Sequence, residues 1–161
     1  MHPSELVDRY IALWNEPDAA TRRRLVREVW APGGRQVLEP PEAVRDAATA
    51  VGFPPPALEA AGYDELDARV TTAYREFVAP GTFTFRSAGN VAALAGVVKF
   101  NWLMVPVGGG EPAGVGLEVL VLAEDGRVAV DHQFIEDLDR SAVPAGPPAA
   151  LTGRRSGQAP A

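Results

Sequence analysis

Apolar residues at Leu6, Val7, Tyr10, Ile11, Leu13 and Trp14 recur at the three- and four-residue spacing of one helical face, which predicts an amphipathic helix over 4–15. Asn15-Glu16-Pro17-Asp18 breaks it, and Asp18 is placed to cap a second helix over about 19–30 that buries Leu25, Val26, Val29 and Trp30. Ala31-Pro32-Gly33-Gly34 ends that helix, and Arg35–Glu39 reads as a short strand stopped by Pro40-Pro41. The pattern then weakens. Glu42–Val51 suits a short helix, Pro54-Pro55-Pro56 forbids one, and Gly62 closes a stretch that reads as an inserted flap over 40–62. Asp64–Val78 returns to helical spacing, with Leu66, Val70, Ala73, Tyr74 and Phe77 on one face.

From residue 82 the period changes to two. Strands are predicted over Thr82–Arg86, Val97–Val105, Ala113–Ala123 and Arg127–Glu136, with turns at Gly108-Gly109-Gly110 and Glu124-Asp125-Gly126. Turns this short join antiparallel neighbours. Helices first and a long meander afterwards make an α+β fold, with helices packed on one face of a curved sheet. Residues 1–139 read as one domain. Beyond Asp139 the chain is Pro, Ala, Gly, Ser and Arg with little to bury, so 140–161 is expected to be a disordered tail.

Composition narrows the chemistry. Without cysteine there is no disulfide, thiol nucleophile or thiolate metal site. Two histidines, one of them at position 2, argue against a metal centre. A net charge of −6 disfavours nucleic acid, and Arg22-Arg23-Arg24 with Arg27 reads as a solvated helix face. No apolar run approaches the ~20 residues that span a bilayer, and the first residues lack a signal-peptide pattern, so the expectation is a cytoplasmic protein with no membrane partner. The four serines sit in no Gly-x-Ser-x-Gly elbow. Lys99 falls on the outer parity of its strand, unsuited to a Schiff base in the core.

Glu118 is the informative residue. It stands alone in Gly116-Leu117-Glu118-Val119-Leu120-Val121-Leu122, a run that reads as a strand buried on both faces. An ionised carboxylate there costs several kcal/mol unless it is paired, hydrogen-bonded or kept protonated. Either it is satisfied structurally, or its raised proton affinity is used. Tyr10 and Trp14 share the apolar face of the first helix, and Trp102 shares parity with Val98, Phe100 and Met104. His132 shares parity with Val128, Val130 and Phe134, which directs His132 and Phe134 inward and Asp131 to the opposite face. Glu39 lies before Pro40-Pro41 at a strand end, where a polar residue is often just exposed.

The order helix, helix, short strand, helix and four long strands resembles the nuclear-transport-factor-2-like superfamily. That superfamily includes ketosteroid isomerases, SnoaL-like polyketide cyclases and limonene epoxide hydrolases. The resemblance covers about residues 4–137. It rests on Tyr10-Ile11-Ala12-Leu13-Trp14-Asn15, on Glu39-Pro40, on Val98-Lys99-Phe100-Asn101-Trp102, and on Gly116-Leu117-Glu118 eight residues before Gly126. It implies a cone with a ligand pocket between three main helices and the concave sheet face, and a homodimer through the outer face. In the isomerases a first-helix tyrosine, an acid at the end of the first strand and a protonated acid on the penultimate strand act together. Tyr10, Glu39 and Glu118 stand at those places. Both acids here are Glu where the isomerases have Asp, and the Arg-x-Asp of the epoxide hydrolases is absent.

The resemblance implies proton transfer or cyclisation on an apolar, carbonyl-bearing small molecule without a cofactor. Glu39 or His132 would be the base, Glu118 and Tyr10 would stabilise the enolate, and Trp14, Trp102 and Phe134 would hold the substrate. A non-catalytic ligand-binding or dimerisation module with the same pocket is the alternative.

Overall fold

The computed structural model describes residues 2–54 and 57–139; the tail expected over 140–161 lies outside them. Helix α1 (Pro3–Asn15) starts at a capping box in which His2 accepts from the Ser4 N–H and Glu5 answers the His2 backbone. Helix α2 (Ala19–Val29) is capped by Asp18, whose carboxylate accepts the Thr21 N–H at 2.8 Å. Strand β1 (Trp30–Leu38), helix α3 (Glu42–Ala50), strand β2 (Leu58–Ala61) and helix α4 (Gly62–Ala73) follow, and a π-helical turn, Tyr74–Val78, ends α4. The remaining strands are β3 (Phe83–Ser87), β4 (Ala92–Leu94), β5 (Val97–Pro106), β6 (Gly114–Leu122) and β7 (Val128–Glu136).

The strands form one curved, unclosed sheet in the order β2-β1-β7-β6-β5-β3, with β4 pairing the start of β5. Three features depart from the expectation drawn from sequence. Strand β1 begins at Trp30, directly off α2, and runs through Pro32-Gly33-Gly34 as a bulge instead of starting at Arg35. Gly34 permits this, because a Cβ there would sit 2.9 Å from both the Ala31 and Val128 carbonyl oxygens. Strand β1 also pairs parallel with β7, while the other pairings are antiparallel. The flap holds a helix and a strand: α3 buries no residue, whereas β2 pairs with β1 and buries Ala60.

The core lies between the helices and the concave sheet face. Leu13, Val26, Val29, Trp30, Leu66, Leu120 and Val128 are fully buried there, and each such side chain contributes about 1.5–3 kcal/mol of burial. Among the described residues no helix is long and apolar enough to cross a membrane.

Candidate active site

Alternation along β6 points Gly116, Glu118 and Leu120 into the concavity, and Glu118 pairs across the sheet with Phe100 on one side and Gln133 on the other. Glu118 is 0% exposed, and among the described residues no donor hydrogen-bonds to either of its carboxyl oxygens. Its neighbour in the core is a second buried acid, Asp131 on β7. Asp131 Oδ2 accepts the Tyr10 hydroxyl at 2.7 Å and the Gln36 side-chain amide at 2.9 Å, while Oδ1 has no partner. The Gln36 amide also lies 3.1 Å from the Tyr10 oxygen. Arg69 of α4 donates to the Gln36 side-chain oxygen and to its backbone oxygen, each at 3.3 Å.

The electrostatics follow from burial. Desolvation pushes the Glu118 carboxyl well above the usual carboxylate range, and the adjacent Asp131 charge pushes it further. Trp102 and Tyr10 lean the other way without reversing this. Burial also raises Asp131, but hydrogen bonds from Glu118, Tyr10 and Gln36 hold the rise back. Tyr10 is driven well above its ordinary value by burial and by both acids, so it stays a hydroxyl donor. Burial and the donors around Asp131 thus favour a proton on Glu118 over one on Asp131.

Above this pair opens a cavity of about 1060 Å³. Tyr10, Ile11 and Trp14 of α1 and Ala68, Arg69 and Thr72 of α4 form one wall; Phe85, Trp102, Met104 and Glu118 form the other. The π-helical turn adds Glu76 and Phe77, and Leu38, Glu39, Pro41, Gln133 and residues 135–139 also contribute to the lining. The aromatic wall is continuous: Phe85 meets Trp102 edge-on at 5.6 Å and Phe77 meets Phe85 at 6.2 Å. Gly116 makes this possible, because its missing Cβ would fall 2.3 Å from Trp102 Cζ2. Gly116→Ala is expected to swing the indole off β6, lower stability by about 1–3 kcal/mol and shift tryptophan emission; unchanged emission would contradict it.

The sequence-derived site residues divide into two groups. Tyr10, Trp14, Glu39, Trp102 and Glu118 line the cavity. Glu39 does so at the strand end with its carboxylate paired to Arg45 of α3. His132 and Phe134 do not line it, which corrects their expected orientation. The register on β7 steps from Val121↔Val130 to Leu122↔Val128, leaving Ala129 as an inserted residue. That bulge inverts the alternation. Val128 stays inward, but Asp131, Gln133 and Ile135 now share the inner face, while His132 and Phe134 face outward. Asp131 was missed for the same reason, since the only sequence sign of the bulge is the small Ala129 between Val128 and Val130; Gln36 and Arg69 lie on other elements, β1 and α4, and nothing local links them to it.

No protein-family model matches the chain, and no curated protein matches it. Solved structures do. A SnoaL-like family protein from Agrobacterium tumefaciens, provisionally named an isomerase, superposes with a TM-score of 0.66 at 25% identity, over 83% of this chain and 97% of that one. The fold is SnoaL-like. A SnoaL-like protein of unknown function from Burkholderia thailandensis matches at 0.56 and 18% identity, over 84% and 94% of the two chains. A provisionally named polyketide cyclase from Sinorhizobium meliloti matches at 0.51 and 11%, over 83% and 99%. The last two likenesses concern the SnoaL-like fold alone.

Proposed function

We propose that this SnoaL-like chain is a small-molecule enzyme of the isomerase or cyclase type, moving a proton on an apolar substrate that carries a carbonyl group. The observation that carries the reading is a fully buried Glu118, its proton affinity raised by desolvation, at the wall of a large cavity lined mainly by apolar and aromatic side chains. A neutral carboxylic acid donates to a substrate oxygen and stabilises the charge that builds there when a neighbouring carbon loses its proton. Glu39, at the cavity edge, is the base in this scheme, released from Arg45 as substrate enters. Trp14, Trp102 and Phe85 hold the apolar body.

The test is deuterium incorporation next to the carbonyl across a panel of cyclic and open-chain apolar ketones in heavy water. Wild type is expected to exchange at least one of them, and Glu118→Gln to lose about 10²-fold or more of that rate. One observation favours a second reading, a non-catalytic ligand-binding module: Tyr10 is already committed to Asp131 and Glu39 to Arg45. Panel members that bind, as seen by tryptophan quenching, yet never exchange would select that reading.

A further inference from the structure

We infer that Glu118 and Asp131 act as one acid pair holding a single proton, in which Asp131 is the positioning residue that keeps the proton on Glu118 and presents it to a neutral acceptor oxygen. This deepens the function proposed above and rests on it. Three carboxyl oxygens of the pair, both of Glu118 and Oδ1 of Asp131, are buried without a donor, while Asp131 Oδ2 has two. Two ionised acids could not share this space, since among the described residues neither has a cation against it; Arg69 hydrogen-bonds to Gln36, not to the carboxylates.

A single proton resolves the arrangement. Tyr10 and Gln36 both donate to Asp131 and not to Glu118, so the negative charge belongs on Asp131 and the proton on Glu118. Glu118 is also the member that lines the cavity. Its O–H bonds to Asp131 at rest and turns to a ligand oxygen on binding, leaving Asp131 held by Tyr10 and Gln36. A pair of net charge −1 accepts a carbonyl, ether or hydroxyl oxygen and repels carboxylates and phosphates. The charged and titratable groups facing it are Tyr10 from α1 and Arg69 from α4; His132 adjoins Asp131 in the chain but points to the other face of β7.

Difference infrared spectroscopy of the full chain reads the proton directly. A carboxylic-acid C=O band is expected in wild type at neutral pH and lost in Glu118→Gln. In Asp131→Asn the band should titrate away at a pH lower by about one unit or more, because the neighbouring charge is gone. A role confined to structure would leave that titration in place. Should Asp131→Asn not fold, Tyr10→Phe decides: weakening the hold on Asp131 should shift the band. No acid band in wild type, a titration unmoved in Asp131→Asn, or a band unmoved in Tyr10→Phe would overturn the pair. An acid band that behaves as expected in a protein exchanging no deuterium keeps the pair and removes the enzyme; exchange without the band does the reverse.

Discussion

Glu118→Leu is expected to make the protein more stable by about 1–3 kcal/mol while abolishing turnover, and Asp131→Ala to make it less stable by about 2–5 kcal/mol. The two acids touch, yet their removal has opposite signs. Glu118 buries a carboxyl group in the core, and no neighbouring donor among the described residues satisfies its two oxygens. A leucine of similar length removes both penalties and adds apolar contact with the surrounding core. Asp131 is instead the acceptor on which the Tyr10 hydroxyl and the Gln36 amide depend. Cutting it back to alanine strands two buried donors and opens a cavity. Urea denaturation midpoints for the two variants measure this. If both lose stability to the same degree, Glu118 is a structural residue and the proposed chemistry falls. A gain in stability coupled to lost function is the mark of a group retained for its reactivity.

Where the fold was legible, the signal was local. The apolar face of α1, the Asp18 cap, the Gly126 turn and the alternation that turns Phe100, Trp102 and Met104 inward each depend on residues within a few positions of one another. The lone Glu118 was legible because an acid in an apolar strand is costly wherever the strand packs. Its partners were not. Tyr10 meets Asp131 across 121 residues and Gln36 meets it across 95, and no local pattern encodes such a meeting. The one-residue insertion at Ala129 compounded this, since a single extra residue exchanges the two faces of a strand. His132 and Phe134 looked inward on uninterrupted alternation and Asp131 outward; the bulge reversed all three. The early start of β1 was hidden similarly. Pro32-Gly33-Gly34 signals a break in most settings, and here Gly34 lets the strand continue past it.

The same pair sets an unusual dependence of stability on pH. Glu118 and Asp131 both have folded-state proton affinities above those of the unfolded chain, chiefly through burial. A group of this kind contributes nothing adverse below its unfolded pKa, where both states are protonated. As pH rises from there toward the folded pKa, the unfolded chain releases the proton first, and stability falls by about 1.4 kcal/mol per pH unit for each such group. Exposed Asp18 and Asp125 run the other way: bonds to the Thr21 N–H and to Arg127 lower them, so their help is lost as pH falls through the low carboxylate range. The protein is therefore expected to melt highest in mildly acid solution, just above the ordinary carboxylate range, and progressively lower toward neutral pH. Activity should fall over the alkaline limb as Glu118 ionises and its hydrogen-bond donor disappears. In Glu118→Leu the slope between mildly acid and neutral pH should flatten, because the more strongly raised of the two groups has gone. Melting temperatures taken at several pH values for wild type and this variant carry the comparison, and equal slopes in the two proteins would place the proton somewhere other than Glu118.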